Sequence, residues 1–187
     1  MSDLYRRDTA LALLHEYTQS EALRRHGYAV EAAMRASAER VGGDVDMWGA
    51  AGLLHDFDYE RFPTMEDHPF KGGEILREKG YPEAFVHDVM AHASHTGLTR
   101  ETDMARWLFA VDELCGFCMA CAMVQPDKQI AQVKVKSVRK KLKKKDFAAK
   151  VNREEIAEGA EALGLEVDEM TEHVLAALVP VAAELGL

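Results

Sequence analysis

The sequence predicts an all-α protein, and three observations support this fold class. Apolar residues recur at three- and four-residue steps through most of the 187 residues, which is the spacing of one face of an amphipathic helix. No segment sustains the alternation of apolar and polar residues that predicts a half-buried strand. Glycine and proline stand where the periodic segments end, as they do at helix termini. We expect a helical core at residues 1–125 and a helical extension at residues 126–187 that packs on the core.

The predicted helices of the core follow in order along the chain. Five of them are expected at residues 6–17, 19–41, 45–57, 65–79 and 82–92, and a sixth, long and apolar, ends at about residue 124. Thr18 and Glu21 have the spacing of a capping box at the start of the second helix, and Gly27 is a weak point inside it. Thr99 or Thr102 can cap the sixth helix.

The extension begins after Pro126 and is predicted to be helical as well. It contains a lysine-rich helix, a helical segment at residues 152–164 and a last helix that begins at Val167. Pro180 lies inside this last helix and should kink it, because proline removes a backbone hydrogen bond and clashes with the preceding turn.

The composition is that of a soluble, folded protein. Apolar residues make up 48% of the chain, which excludes a disordered protein, and no apolar run approaches the ~20 residues that span a bilayer. The first residues, MSDLYRRDTALALL, lack the apolar core and cleavage site of a signal peptide. We therefore expect a cytoplasmic protein without a membrane partner.

The three cysteines lie close together at Cys115, Cys118 and Cys121. This spacing along a helix excludes a disulfide framework. It could suggest an iron-sulfur cluster, but such clusters use four thiolates and the chain has no fourth cysteine. We favour small residues that pack in a helical core.

The charge is distributed unevenly along the chain. Eight basic residues and no acidic residue lie between Lys134 and Lys145, which leaves 15 basic residues against 32 acidic ones in the remainder. A basic run can bind phosphate or nucleic acid, but it is more often a solvated helix face or a contact for an acidic partner. Nucleic acid is not the expected partner, because the acidic remainder would repel a polyanion.

Polar residues inside apolar helical stripes are the strongest functional signal. Asp112 lies within a stripe formed by Met104, Leu108, Val111, Cys115, Cys118 and Ala122. A buried carboxylate is costly unless a cation or hydrogen bonds compensate it. His26 lies in the same way on an apolar face, and the pair His55-Asp56 ends another apolar helix. A lone inward histidine is more often a satisfied core residue, but these four groups together suit a divalent metal.

The order His26, His55-Asp56, Asp112 resembles the H…HD…D signature of the HD-domain superfamily of metal-dependent phosphohydrolases. The strings GLLHDFD and FAVDEL are similar to the contexts of these residues in that family. The resemblance covers roughly residues 20–125. It implies an HD-domain helical bundle that binds one or two divalent metal ions, with iron, manganese and zinc as equal candidates.

The resemblance also implies a larger ligand set for a binuclear centre. The implied metal ligands are His26, His55, Asp56, Asp112, His68 and His92. Asp56 would bridge the two metals, and His55 and Asp56 would be the catalytic residues. His95 competes with His92 for the sixth position, and we prefer His92 because it continues the helix that Pro82 starts. His15 and His87 are expected at the surface, and His173 lies outside the core.

Two features limit which subfamily can be inferred. The string Gly80-Tyr81-Pro82 matches the second half of the HD-GYP name, but the paired-histidine motif of those phosphodiesterases is absent, and we interpret it as a helix stop. Tyr59 stands where nucleotidases and alarmone hydrolases of the superfamily carry a carboxylate. The closer resemblance is to the HDIG-type group, which includes dinucleoside polyphosphate hydrolases.

The resemblance implies hydrolysis of a phosphoester or phosphoanhydride in a nucleotide or another small phosphorylated substrate. A metal lowers the pKa of a bound water from ~15.7 towards ~7. Lys71 and Arg61 are the candidate substrate-binding cations, and Tyr59 and Asp58 could orient the water or a ribose.

Two alternatives remain open. Some relatives with the six-ligand set hold a diiron centre and oxidise a carbon atom with dioxygen, so a diiron oxygenase is the first. A non-catalytic module that binds a nucleotide or a partner through the lysine-rich stretch at residues 134–145 is the second. The sequence also leaves the substrate, the metal and the oligomeric state open.

Overall fold

The computed structural model describes residues 3–187, and the all-α prediction is confirmed. The helices are α1 (Arg7–Tyr17), α2 (Glu21–Val41), α3 (Val45–Leu54), α4 (Phe70–Glu78), α5 (Glu83–Met90), α6 (Asp103–Met123), α7 (Val135–Leu142), α8 (Arg153–Ala162), α9 (Val167–Leu178) and α10 (Ala182–Leu185). Short 3-10 helices lie at Asp3–Tyr5, Ser94–Thr96, Ile130–Gln132 and Val179–Val181. Within residues 3–187 there is no strand, and no helix is both long and apolar enough to span a membrane.

Two long helices, α2 and α6, form the centre of the bundle. Each has 21 residues, which corresponds to roughly 30 Å, and the two pack against each other. The side chains of α6 are buried on nearly all sides, including the three cysteines, as expected of a helix in the middle of a core. Asp112 is held by this central helix and is therefore fixed in position.

Helices α2 and α3 pack with their backbones in close contact. A Cβ atom placed on Gly52 of α3 would lie 2.8 Å from backbone atoms of Glu31 on α2. Only glycine allows this approach. The contact brings His55, at the C-terminal end of α3, towards His26 on α2, and so the packing of two helices positions two site residues.

Several predicted helix boundaries were wrong. Ser20, not Thr18, caps α2, since its hydroxyl accepts from the backbone N–H of Leu23. The Thr18 hydroxyl instead donates to the carbonyl of Phe57 and is buried. Gly27 does not interrupt α2, because it is buried in the contact with α1 and α3.

The helices beside the site are shorter than predicted. Helix α3 ends at Leu54 and not at Phe57. Helix α4 begins at Phe70 and not at residue 65, because Pro69 has no backbone N–H and restricts the residue before it. Helix α5 ends at Met90, and His92 lies in the turn that follows. The site residues His55, His68 and His92 therefore lie at or just beyond helix ends.

Residues 126–187 pack on the two central helices. Helix α8 lies on α6, and α9 contacts both α2 and α6. At the first contact a Cβ on Gly159 would be 2.6 Å from Cα of Ala110. Pro180 does more than kink the last helix, since α9 ends at Leu178 and a 3-10 turn leads to α10.

Candidate metal centre

Six side chains from five parts of the bundle meet at one place. His26 comes from α2 and Asp112 from α6, while His55 and Asp56 follow α3. The other two come from turns, one before α4 and one after α5. The full set consists of His26, His55, Asp56, His68, His92 and Asp112. Their ligand atoms form two groups, and within each group these atoms lie within 4.8 Å of one another.

The first group contains His26, His55 and Asp112. Nε2 of His26 lies 2.9 Å from Oδ1 of Asp112 and 3.2 Å from Nε2 of His55. Nε2 of His55 lies 3.4 Å from the same carboxylate oxygen. Two imidazole nitrogens and one oxygen thus point at a common centre.

The second group contains Asp56, His68 and His92. Oδ1 of Asp56 lies 3.2 Å from Nε2 of His68 and 3.2 Å from Nε2 of His92. The other oxygen of Asp56, Oδ2, lies 3.5 Å from Nε2 of His55 in the first group. Asp56 therefore presents one oxygen to each group, which is the geometry of a bridging carboxylate.

Three of the four imidazole rings are oriented by a hydrogen bond on Nδ1. Nδ1 of His55 lies 2.8 Å from the carbonyl of Gly52, and Nδ1 of His92 lies 2.7 Å from the carbonyl of Val89. A carbonyl only accepts, so each of these Nδ1 atoms carries a proton. Nε2 is then left for the centre, in the arrangement usual for metal-binding histidines.

Asp58 orients the third ring. Its Oδ1 lies 2.8 Å from Nδ1 of His68, and its Oδ2 accepts from the backbone N–H of Gly72 at 2.8 Å. The side chain is buried and does not face the cavity. Sequence reasoning had assigned Asp58 to water or ribose. Its hydrogen bonds show instead that Asp58 positions His68. In the sequence, only its place two residues after Asp56 pointed to a role in the site.

The carboxylates and histidines shift one another's pKa values. Burial alone would lower the pKa of His55, but the charges of Asp56 and Asp112 outweigh it and raise the pKa to about 10. Burial is likewise outweighed at His68, where Asp56 and Asp58 raise the pKa to about 9. The pKa of Asp56 lies well below its usual value, because His55, His68 and His92 overcome the effect of its burial. The site therefore favours a positive charge between its carboxylates.

The donor set fits a divalent metal. In the neutral state, Nε2 of His26 and Nε2 of His55 lie 3.2 Å apart, both next to an anionic oxygen of Asp112. Lone pairs at such distances repel one another unless protons or a cation lie between them. Imidazole and carboxylate ligands suit zinc, iron and manganese. Each group offers three protein ligands, as open catalytic sites do.

A cavity of about 440 Å³ lies over the two groups. This volume is typical of a site for a small molecule. The lining residues are His26, Asp56, Tyr59, Met65, His68, His92, Ala93, Ser94, His95, Asp112, Glu113, Gly116 and Glu155. Tyr59 and Met65 belong to the segment after His55-Asp56, which therefore forms one wall of the cavity.

Neither predicted substrate-binding cation lines the cavity. Lys71 pairs with Glu74 at 2.8 Å and is about half exposed. The guanidinium of Arg61 lies over the ring of Tyr17, with 4.2 Å between the guanidinium carbon and the ring centroid, and donates to the carbonyl of Glu16. The structure therefore gives no support for a role of either residue in substrate binding.

His95 lies in the cavity wall but outside both groups. Its Nε2 lies 2.8 Å from the carbonyl of His68, while His92 faces Asp56 directly. Of the remaining histidines, His15 is exposed and contacts the hydroxyl of Tyr28, and His173 packs against Trp107.

Two further acidic residues line the cavity that sequence reasoning did not identify. Glu113 follows Asp112 on α6, and burial and the charge of Asp112 raise its pKa to about 7. Glu155 comes from α8 in the extension. Adjacency to Asp112 could have pointed to Glu113. Nothing in the sequence pointed to Glu155, because only the packing of α8 on α6 brings it to the site.

Comparison with family models matches residues 23–115 to the HD domain. The matched segment contains all of α3, α4 and α5, most of α2 and more than half of α6, and it includes all six side chains of the two groups. Comparisons with curated proteins and with solved structures gave no match.

Proposed function

The chain belongs to the HD-domain family through residues 23–115, and from this premise we propose that it is a metal-dependent phosphohydrolase. The proposed reaction is the cleavage of a phosphoester or phosphoanhydride in a small phosphorylated substrate, such as a nucleotide, by water. HD domains bind divalent metals and are typically hydrolases of this kind.

One observation carries the proposal, namely the position of Asp56 between two ligand groups that open into the same cavity. Its two oxygens lie 3.2 Å and 3.5 Å from histidine nitrogens of different groups. Two metal sites that share a carboxylate suit phosphoryl transfer, since one site can serve the attacking oxygen and the other the phosphoryl oxygens.

We assign His26, His55 and Asp112 to one metal and His68 and His92 to the other, with Asp56 shared. Metal ions held there would supply Lewis acidity that activates water and neutralises charge on phosphoryl oxygens. The hydrogen bonds on Nδ1 of His55 and His92 fix a proton on that nitrogen and orient each ring with Nε2 towards the centre. Their Nε2 atoms then stay available as ligands.

The wall of the cavity offers further groups to a substrate. The hydroxyl of Ser94 accepts a hydrogen bond from Arg100, and its own O–H can donate to a phosphoryl oxygen. Tyr59 and His95 lie on the same cavity and can contact the leaving group. These residues replace Lys71 and Arg61 in the proposal.

The test measures metal content and phosphate release on protein purified without oxygen. We expect two metal ions per chain and release of phosphate from nucleotides or simple phosphate monoesters in the presence of iron, manganese or zinc. Asp112→Asn should lower the metal content and reduce release at least about 100-fold. His87→Gln lies outside both groups and should change neither. Metal-loaded protein that releases no phosphate from any ester or nucleotide would overturn the proposal.

A diiron oxygenase remains the second candidate function. Histidine and carboxylate ligands suit iron as well as the other metals, and among residues 3–187 no lysine or arginine lines the cavity to bind a leaving phosphate. Oxygen uptake by the iron-loaded protein with a polyol or an aminophosphonate would indicate this activity.

The non-catalytic module is the third candidate, and it has its own test. Residues 134–145 do not line the cavity. If the extension is an interaction element, neutralising its lysines should abolish the binding of a partner and leave turnover unchanged. The lysines to neutralise are Lys140, Lys141, Lys143 and Lys144.

A further inference from the structure

The charged residues of the cavity wall are all acidic. Apart from the two ligand groups, the charged side chains that line it are Glu113 and Glu155. Within residues 3–187, no lysine or arginine belongs to this lining, and neither glutamate takes part in an ion pair. A site for a phosphorylated substrate usually adds cations beside the metals. This cavity adds two carboxylates.

The two glutamates are held in place by the contact between α6 and α8. The backbone N–H of Asn152 donates to Oε2 of Glu113 at 3.1 Å. The side chain of Asn152 in turn accepts from the N–H groups of Glu154 and Glu155, which caps α8. Glu113 therefore anchors the first turn of the helix that carries Glu155.

The body of α8 is fixed as well. Gly159 packs against the backbone of Ala110 so closely that a Cβ would lie 2.6 Å from Cα of Ala110. Both glutamates are partly buried. The extension thus supplies a rigid part of the cavity wall, and the position of Glu155 is set by helix packing and not by a mobile loop.

Arg100 is close enough for its charge to interact with that of Glu155, but the two side chains form no ion pair. Arg100 donates to the carbonyl of Ala91 and to Ser94, and its guanidinium lies on the ring of Phe109 at 3.5 Å. A polyphosphate in the cavity would face the two glutamates, because no lysine or arginine among residues 3–187 lines the cavity. Carboxylates that face a phosphate group repel it, and this repulsion lowers the affinity for the ligand. A substrate that brings its own positive charge removes this cost.

We infer that the substrate is a phosphate monoester that carries an ammonium group, and that Glu155, together with Glu113, binds this group. The inference rests on the proposed function and narrows its substrate class. Glu155 is then a specificity-determining residue supplied by the C-terminal extension. Its hydrogen bond to an ammonium group is worth about tenfold in affinity.

The experiment compares 2-aminoethyl phosphate with propyl phosphate, which has a similar size and no charge on its tail. Metal-loaded protein is assayed for phosphate release. In a second measurement, the binding of each ester is determined through the shift that it causes in the unfolding temperature. We expect about tenfold higher kcat/KM and tighter binding for the amine. Glu155→Gln should abolish this preference mainly through KM, while Glu154→Gln, an exposed neighbour outside the lining, should keep it.

A variant with reversed charge at residue 155 provides a second test. Glu155→Lys should favour 2-carboxyethyl phosphate over the amine. Equal binding of 2-aminoethyl and propyl phosphate by the wild type would overturn the inference, whether or not phosphate is released. A binding preference that Glu155→Gln removes, without release from either ester, would support the inference and contradict the proposed hydrolysis.

Discussion

At the scale of single residues, the candidate centre depends on which atom each side chain leaves uncommitted. Asp56 presents Oδ1 to two histidines and Oδ2 to a third. His55 and His92 commit Nδ1 to backbone carbonyls, so the backbone itself fixes their tautomers. His68 differs, because a carboxylate performs this role for it. The second group is therefore the one that a single substitution outside the ligand set can perturb.

Asp58→Asn should weaken metal binding at the second group by about 10- to 100-fold. Asp58 accepts from both His68 and the backbone N–H of Gly72. An asparagine has one acceptor oxygen and an NH₂ group that only donates, so it can satisfy one of the two partners. The measurement is a metal titration, in which the variant should retain one tight site and lose the other. Glu66→Gln, exposed in the turn that carries His68, is the control, and unchanged affinity at both sites in Asp58→Asn would contradict the role of Asp58.

At the scale of helices, periodicity predicted which helices exist better than where they end. The alternative cap Thr102 for α6 was named from the sequence and does accept from the N–H of Ala105. The cap of α2 was wrong, because Thr18 is needed to hold the carbonyl of Phe57. Such a use of a hydroxyl depends on a contact between residues 39 positions apart, and a local pattern cannot show it.

Gly52→Ala should destabilise the fold, whereas Gly116→Ala should not. The new Cβ at residue 52 would lie 2.8 Å from the backbone of Glu31 and force α3 away from α2. Overpacking of this kind costs about 1–3 kcal/mol. At Gly116 the Cβ would meet only the ring of His26 at 3.9 Å, and alanine gains up to about 1 kcal/mol of helix propensity. Chemical denaturation of both variants checks this, and equal stability of the two would contradict the close approach of α2 and α3.

At the scale of the whole molecule, the candidate metal ligands could be predicted from the order of their motifs along the sequence. The other residues of the cavity wall could not. The six candidate ligands could be named because each lies in a recognisable local context. Lys71 and Arg61 were chosen for proximity along the chain, and they pair elsewhere. Glu155 reaches the cavity only through the packing of α8 on α6. Tertiary contacts between distant segments decide this, and a single sequence does not record them.

The pH dependence of stability should differ between metal-free and metal-loaded protein. In the metal-free protein the pKa values of His55 and His68 are raised from 6.5 to about 10 and about 9. Their contribution to stability is therefore fully present below pH 6.5 and is lost as the pH rises through 9 to 10. The lowered pKa values of Asp56 and Asp112 act at the acidic end of the pH range. Their contribution to stability is present above about pH 3.8 and is lost as the pH falls below it.

Metal ions compete with the protons of His55 and His68, so metal binding tightens as the pH rises. The unfolding temperature of metal-free protein should fall between pH 6.5 and 9, while that of metal-loaded protein should fall less. We expect the gap between the two to widen by roughly 5–10 °C, since 1 kcal/mol corresponds to about 2–4 °C for a domain of this size. His55→Asn should remove much of the widening, and His87→Gln should retain it. Because a metal can replace the protons only if it occupies the same space between the carboxylates, a gap that stays constant with pH would mean that the ion binds elsewhere.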